Sequence, residues 1–315
     1  MCHWNTVNWN CIIRKETLEE KLSEEEKHAL SRLQKELSEQ KKVELLFTDA
    51  DLEKDITFFL SGHHVKPEEC MLLATEPEEV AWAKKDADSD SDQLTIIGYE
   101  VPDFSKQMPL SNVDMLLLGL EEVDTEFLLR TFQRKHHLPW RILETKRCYL
   151  REITLDDIYN KKGITDYIEP LYERQEEEEY QRAYIENMYG YYGYGMWLAK
   201  EKGTHRLIGR AGIDYRMLGE EEIIEMGYVI APEYQRQGYA YEVCQAIMAW
   251  AKSNLDFRRI DCLVEPGNEA SLGLIHKLGF QETEKINQDG KISDIFGIFI
   301  RDWKVKRQET FLYII

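Results

Sequence analysis

A short turn between an extended run and a helix constrains this chain more than any other segment. The apolar run Gly227–Ile230 leads into Gln235-Arg-Gln-Gly238-Tyr-Ala240, where a helix is predicted to begin. Every residue from 233 to 240 has a backbone N–H, Gly238 allows unusual backbone angles and close approach of a ligand, and a helix N-terminus carries the positive end of its dipole. The segment therefore predicts a site for a pyrophosphate group.

The helix after the turn has one apolar face. Its apolar residues recur at the spacing i, i+3, i+4 and i+7, which buries one side of a helix. They are Ala240, Val243, Ala246, Ile247, Trp250 and Ala251. Because glycine turns precede helices in many folds, this segment alone does not identify a family.

Two further segments make the pattern specific. After a predicted strand at Ile260–Val264 come Asn268-x-x-Ser271 and then Lys277-Leu-Gly-Phe280, and upstream Thr145–Thr154 is typical of a strand that enters a helix at Leu155-Asp-Asp157. With Gln235-x-x-Gly238-x-Ala240, which matches (Arg/Gln)-x-x-Gly-x-(Gly/Ala), these segments resemble the GNAT acyltransferases over residues 143–305. The resemblance is to the branch that acetylates ribosomal-protein N-termini and various small amines.

The resemblance implies a fold and an activity. The fold is a mixed, mostly antiparallel sheet flanked by helices, followed here by a tail at residues 306–315. The activity is transfer of an acetyl group from acetyl-CoA to a primary amine by direct attack in a ternary complex, the amine being a small cationic molecule or a protein N-terminus. A competing hypothesis is a non-catalytic acyl-CoA-binding sensor, which would bind the cofactor without releasing its thiol.

The resemblance also implies which residues hold the cofactor. Family members splay the strand ending at Ile230 from the next strand, so the backbone N–H groups near Val229 and Ile230 are expected to contact the carbonyl oxygen and the pantetheine arm. Asn268 is expected to hydrogen-bond the pantetheine arm, with Ser271 as a second contact. The pyrophosphate would lie on Gln235, Arg236, Gln237, Gly238, Tyr239 and Ala240.

Glu225 is the candidate general base. Alternation along the strand places Glu225, Gly227 and Val229 on one face. In the family, the position of Glu225 is one from which the amine is deprotonated, directly or through water. The alternative is that Glu225 only pairs with an arginine of a neighbouring strand, Arg210 or Arg216.

The general acid is an anomaly. Many family members place a tyrosine seven residues after the asparagine to protonate the departing thiolate, whereas this chain has Ile275 there. The candidate substitutes are Ser271, a tyrosine of residues 189–194 with Tyr192 as our choice, or water. His276 neighbours the position but should face about 100° away on a helix.

The acceptor is expected under the segment between the first two strands, here residues 155–195. It contains a run of glutamates and the candidate substrate-binding residues Tyr189, Tyr191, Tyr192 and Tyr194. Carboxylates and aromatic faces suit a cationic amine, although a glutamate run is also typical of a solvated helix face. The glycines between the tyrosines would let the rings rearrange over a ligand.

The first part of the chain has a different pattern. Residues 1–42 contain an amphipathic helix at 16–42, and residues 43–140 alternate apolar runs with helical stretches near 50–60, 77–85 and 124–136. This alternation predicts a small parallel α/β domain, HAD-like or Rossmann-like. The strand candidates are Val43–Thr48, Cys70–Ala74, Leu94–Gly98 and Val113–Leu118.

The order of these segments resembles the second half of a HAD-type phosphatase. Thr75-Glu76 stands where that family has its acidic pair, and the candidate nucleophile Asp49-Ala50-Asp51 lacks the following Gly-Thr. Because phosphoryl transfer needs Mg²⁺ and a carboxylate nucleophile in fixed geometry, we expect a non-catalytic scaffold, dimer surface or regulatory module. A flavodoxin-like half-sheet is the alternative.

Composition bounds the partners. The 315 residues are 43% hydrophobic and 31% charged, as in ordinary globular proteins of more than one domain. The net charge of −19 argues against nucleic acid and anionic membranes as partners, and apolar runs fall short of the roughly 18 residues of a membrane span. Scattered cysteines favour reduced thiols, so we expect a cytoplasmic protein, with a homodimer left open.

No metal is expected. The pairs His63-His64 and His136-His137 point their side chains apart in regular structure, and no cysteine or carboxylate falls at metal-ligand spacing. The aspartates of 86–92 lack the glycine and the glutamate that a calcium loop requires.

Overall fold

The computed structural model divides the 315-residue chain into two compact units, Met1–Leu138 and Pro139–Ile315. It describes residues 10–14, 22–39, 45–48, 54, 61–62, 64, 66–84, 94–100, 110–159, 175–218, 220–288 and 291–304. The proposed nucleophile at 49–51, the helical stretch at 50–60, His63, the aspartates of 86–92 and the tail at 306–315 lie essentially outside these residues. So do Glu173 and the side chains of Glu176, Glu177 and Glu178.

The first unit contains a five-stranded parallel sheet in the order β2-β1-β3-β4-β5. The parallel α/β architecture predicted from the sequence is confirmed. This order is that of flavodoxin-like sheets, which is the alternative that the sequence left open; the HAD-like interpretation stays a prediction. The strands are β1 Asn10–Arg14, β2 Leu45–Thr48, β3 Cys70–Ala74, β4 Thr95–Tyr99 and β5 Met115–Leu117.

Helices cover both faces of this sheet. They are α1 Glu24–Glu39, α2 Pro77–Ala83 and α3 Thr125–Lys135. On one face Leu33 and Leu37 of α1 pack with Leu73 of β3 and Phe132 of α3, and on the other Leu72 of β3 packs with residues that include Val80 of α2. A strand buried on both faces reads as a continuous apolar run, which is why Cys70–Ala74 was recognisable.

The second unit contains an eight-stranded sheet in the order β12-β13-β11-β10-β9-β8-β7-β6. Neighbouring strands are antiparallel except β10 and β11, which are parallel, so the expected mixed, mostly antiparallel sheet is confirmed. The strands are β6 Arg141–Glu144, β7 Cys148–Arg151, β8 Met196–Glu201, β9 Leu207–Leu218, β10 Glu221–Ile230, β11 Arg259–Val264, β12 Gln281–Gln288 and β13 Lys291–Phe299.

Four α-helices accompany the described part of this sheet: α4 Leu155–Tyr159, α5 Gln175–Tyr184, α6 Tyr239–Asn254 and α7 Glu269–Leu278. A π-helical segment, Ile185–Tyr192, continues α5. The apolar face predicted for α6 is buried at Val243, Ala246, Ile247 and Ala251, and Trp250 packs edge-on against Trp197 of β8.

The sheet opens between β10 and β11. Strand β10 pairs with β9 along its whole length, but within residues 220–288 its only register with β11 joins Glu225 to Asp261. Beyond Glu225 the two parallel strands diverge, so one edge of residues 227–230 is left for another partner. This opening lies directly before the turn that the sequence singled out.

Within the described residues no helix is long and apolar enough to span a membrane. The same residues hold no group of three or more histidine, cysteine or acidic side chains arranged to bind a metal ion.

Candidate active site

The turn before α6 has an unusual backbone. A 3₁₀ turn at Pro232–Tyr234 is followed by Arg236 at φ 60° and by Gly238 at φ 83°, both in the left-handed region. Such angles are uncommon for a residue with a side chain and persist where the surroundings impose them, often at functional sites. Gly238 is the N-cap of α6, and no side chain caps this end. The end of the helix is therefore available to an anion.

The donors of the turn are fewer than the sequence suggested. The N–H of Tyr234 donates to the carbonyl of Ala231 at 2.8 Å, and that of Gln235 donates to Pro232 at 3.2 Å. The expected uninterrupted set of donors from residue 233 is thus wrong at these two positions. The side chain of Gln235 donates to the carbonyl of Ile230, and that of Gln237 to Glu233. Gln235 therefore holds the turn to the end of β10, and Gln237 stabilises the turn internally.

The turn between β6 and β7 holds the start of α6. Arg147 donates from Nε to Glu242 at 2.7 Å and from Nη1 to the carbonyl of Gln237 at 3.1 Å, and its guanidinium lies 3.8 Å from the ring centre of Tyr239. Glu242 also accepts from the hydroxyl of Thr145 and from the N–H of Arg147. Burial raises the pKa of Glu242, but these hydrogen bonds and the arginine charge outweigh it and hold the pKa below its usual value.

A cavity of about 680 Å³ joins the turn, the end of β10 and the first turns of α7. Its size is in the range of small-molecule sites. It is lined by every predicted cofactor residue except Gln237: Val229, Ile230, Gln235, Arg236, Gly238, Tyr239, Ala240, Asn268 and Ser271. Tyr228, which the sequence did not single out, lines it too.

Asn268 begins α7 and keeps part of its side chain for the cavity. Its Oδ1 accepts from the N–H of Ser271 at 3.1 Å, so its amide nitrogen is the part left to bind a ligand. Seven residues after Asn268, Ile275 has no exposed surface and packs in the core. His276 is exposed and lies edge-on to the ring of Phe296.

Glu225 is paired with an arginine, as the alternative interpretation allowed. Arg216 Nη1 lies 2.7 Å from Glu225 Oε2. Glu225 stands directly opposite Asp214 on β9 and Asp261 on β11, so three carboxylates form a row across three strands. Asp261 is paired in turn with Arg259.

Asp214 connects this row of carboxylates to the tyrosines. Its Oδ2 accepts from the hydroxyl of Tyr184 at 3.2 Å, and its Oδ1 from the N–H of Tyr215 at 2.9 Å. Burial raises the pKa of Asp214, and the charge of Glu225 adds to that effect, whereas the two hydrogen bonds oppose it.

The tyrosine cluster divides into buried and exposed members. Tyr189 has no exposed surface and its hydroxyl donates to the carbonyl of Met196, so its predicted role as a substrate contact is wrong. Tyr194 is almost as buried. Tyr191 and Tyr192 are exposed, with 82% and 46% of their surface accessible, and their rings meet edge to face.

The glycines of this cluster do not form the flexible loop that the sequence suggested. Residues 185–192 are helical, and of Gly190, Gly193 and Gly195 only Gly193 has a positive φ, where the helix ends. A Cβ at Gly195 would lie 2.7 Å from the ring of Tyr189. Gly195 thus serves close packing, which explains why Tyr189 is fixed.

Comparisons with known proteins identify the family of the chain. A sequence model of the acetyltransferase (GNAT) domain matches residues 147–281. The uncharacterized N-acetyltransferase YoaA of Bacillus subtilis strain 168 is 31% identical over 156 residues, which cover 47% of this chain and 86% of YoaA. The chain belongs to the GNAT acetyltransferase family. The second unit is therefore a GNAT N-acetyltransferase domain.

Other similar proteins also match half of the chain or less. The uncharacterized protein YkkB of Bacillus subtilis strain 168 is 26% identical over 134 residues, 42% of this chain and 77% of YkkB. Among solved structures, a putative GNAT-family acetyltransferase from Bordetella pertussis has 20% identity and a TM-score of 0.45, and covers 50% of this chain and 99% of its own.

Sequence reasoning missed three residues of this site: Arg147, Asp214 and Tyr228. Asp214 and Tyr228 lie on strands, where alternation assigns a face but not a neighbour on another strand. Arg147 and Glu242 are 95 positions apart in the sequence, and no local spacing predicts that they form a pair.

Proposed function

We propose that the chain transfers an acetyl group from acetyl-CoA to a primary amine, by direct attack within a ternary complex. The acceptor is a small cationic amine or a protein N-terminus. The observation that supports this most strongly is the cavity where β10 and β11 diverge, because it joins an uncapped helix end, a free strand edge and the start of α7 in one continuous site.

The cofactor fits this cavity by its chemistry. The pyrophosphate would accept hydrogen bonds from the N–H groups between Arg236 and Ala240, aided by the dipole of α6. The pantetheine arm would lie along Val229 and Ile230, with the amide of Asn268 as a donor. When bound, CoA supplies the activated thioester; the protein supplies position and electrostatics.

The acetyl-accepting amine would approach from the face that carries the row of carboxylates. Glu225 is the proposed general base, and its pairing with Arg216 holds the carboxylate in place at the start of the opening. An N–H group of Val229 or Ile230 would donate to the carbonyl oxygen as negative charge develops on it.

A cationic acceptor suits the surroundings of this row. Asp214 and Glu225 are adjacent, and the exposed rings of Tyr192 and Tyr215 lie near each other in the same unit. A protonated amine is attracted both by carboxylates and by the faces of aromatic rings. The amine must lose its proton before attack, which a carboxylate of this row can accept.

A non-catalytic acyl-CoA sensor is the second candidate, favoured by one observation. The position from which many relatives protonate the thiolate is Ile275, which is buried in the core. A sensor would retain the turn and the cavity and lack turnover.

Kinetics of the full chain separate these functions. Incubation with acetyl-CoA alone should give neither free CoA nor an acetylated protein, and addition of an amine from a panel of polyamines, amino sugars and N-terminal peptides should release CoA. Initial rates at varied concentrations of both substrates should give intersecting double-reciprocal lines. An acetylated protein intermediate would contradict direct attack, and tight binding without product from any amine would support the sensor.

A further inference from the structure

Tyr228 has a buried hydroxyl that lacks a partner. Within the described part of the chain, its oxygen makes no hydrogen bond and is shielded from solvent. Buried polar groups in proteins are almost always hydrogen-bonded, because leaving one unpaired costs the free energy of its lost hydration. The exceptions often point to a bound ligand or a catalytic role.

The neighbours of this hydroxyl favour its protonated form. Burial raises the pKa of Tyr228, the buried thiols of Cys244 and Cys262 raise it further, and Ser271 alone lowers it. Ser271 is near but does not meet the geometry of a hydrogen bond in this structure. The phenol therefore stays protonated at neutral pH and is available as a donor.

Tyr228 lies where a hydrogen-bond donor to the sulfur atom of bound CoA is required. Residues 228–230 run towards the turn at 235–238, and a strand advances about 3.3 Å per residue. If the pyrophosphate lies at the turn, Tyr228 is the cavity residue of β10 farthest from it along the strand. The thioester end of an extended cofactor would lie there.

Tyr228 also lies near the helix face that carries Ile275, the position at which many relatives have a tyrosine. Ser271 and Ile275 are four residues apart on α7 and so lie one above the other on the same helix face. Because Ser271 neighbours the hydroxyl of Tyr228, strand β10 brings a phenol to the face of α7 that carries Ile275, one helical turn before that residue.

We propose that Tyr228 is the general acid that protonates the departing CoA thiolate. The amine nitrogen forms a bond to the thioester carbonyl carbon, and the C–S bond then breaks with its electron pair on sulfur. The phenolic proton of Tyr228 passes to that sulfur, the phenolate regains a proton from water that enters the cavity when CoA leaves, and the proton lost by the amine passes to the carboxylate base. The products are the acetylated amine and CoA with a free thiol. This assignment rests on the proposed function.

The test compares Tyr228→Phe with Tyr149→Phe in the full chain. Tyr149 is also a buried tyrosine of the second unit, but its hydroxyl lies 3.2 Å from His205 Nδ1 and does not line the cavity. Tyr228→Phe should lower kcat about tenfold or more and leave the Kd of acetyl-CoA within about twofold, because a positioned general acid contributes roughly 10²–10⁴-fold to the rate. Tyr149→Phe should leave both unchanged.

A ring-fluorinated tyrosine at position 228 guards against misfolding, because it keeps the shape of the side chain and makes the phenol more acidic. It should move the alkaline decline of kcat to lower pH. Normal kcat in Tyr228→Phe with active wild type overturns the assignment while leaving the proposed function intact. So does a raised Kd for acetyl-CoA with normal kcat, which would make Tyr228 a binding contact. Absence of turnover in the wild type with every amine overturns both.

Discussion

The two sides of the candidate active site are built in different ways. The proposed cofactor side consists of one continuous segment, residues 228–240, whose turn angles, helix start and strand edge form most of the cavity with the help of α7. The proposed acceptor side is assembled from side chains of α5, β9, β10 and β11 that are far apart in sequence. A local backbone device can be recognised in a sequence, whereas an arrangement of distant side chains needs the fold first.

The difference predicts how each side responds to mutation. Changes on the cofactor side should act on affinity for CoA, and changes on the acceptor side on kcat or on the KM of the amine. A variant that mixes these effects would weaken the comparison, so the predictions below are matched in pairs.

The largest effect is expected at Glu225. Glu225→Gln should lower kcat by roughly 10²–10⁴ near neutral pH, because an amide cannot accept the proton of the amine. The Kd of acetyl-CoA by calorimetry should be unchanged. Glu221→Gln makes the same change at an exposed position of the same strand and should leave kcat alone. A Glu225→Gln enzyme with most of its activity would reduce Glu225 to the partner of Arg216.

Gly238→Glu should weaken CoA binding by at least about 100-fold, roughly 2.7 kcal/mol. The new side chain is strained at φ 83° and places a carboxylate beside the pyrophosphate. Gly203→Glu is the matched control, because Gly203 lies in a turn with open space around its Cα and outside the cavity. Calorimetry with equal affinities for both variants would contradict the assigned turn.

Glu242→Gln should loosen the turn and lower the free energy of unfolding by about 1–3 kcal/mol at pH 7, since the buried donors of Thr145 and Arg147 lose their charged acceptor. The pKa of Glu242 is lowered in the folded state. Its contribution is therefore fully present above the unfolded-state pKa of about 4.3 and is lost as the pH falls through the lower folded-state pKa. Denaturant titrations should show the gap between wild type and variant closing below about pH 4; a constant gap would mean that the carboxylate charge is irrelevant.

The smallest effect is expected on the exposed tyrosines. Tyr192→Leu should raise the KM of a cationic amine about two- to fivefold, the size of an exposed cation–π contact, with normal kcat. A neutral amine should show no such change. If Tyr192→Phe instead lowers kcat about tenfold, the proton donor is Tyr192 and the assignment to Tyr228 is wrong.

The sequence predicted the backbone of the molecule well for identifiable reasons. Strand β3 is buried on both faces and α6 carries a regular apolar stripe, so each was visible as a pattern. Strand β1 was missed because Asn10–Arg14 is a single run of five residues, and periodicity alone does not identify a strand in so short a run. Its place between β2 and β3 follows only from the sheet.

The site was predictable where one segment supplies it. The cavity is lined by the predicted cofactor residues of both motifs except Gln237. The spacing of the tyrosines at 189–194, however, does not show which of them are buried: Tyr189 is buried and Tyr191 is exposed. Glycine content suggested a loop, but the structure uses Gly195 for close packing. Packing between distant elements decides such questions, and a single sequence does not record it.

The most direct test of the account is the stoichiometry of acetyl transfer, followed by mass spectrometry of the wild type and of Gly238→Glu with acetyl-CoA and the amine panel. The account predicts one acetylated amine for each CoA released by the wild type, and neither product from Gly238→Glu. Binding of acetyl-CoA by the wild type without an acetylated amine, or equal turnover by Gly238→Glu, would contradict it.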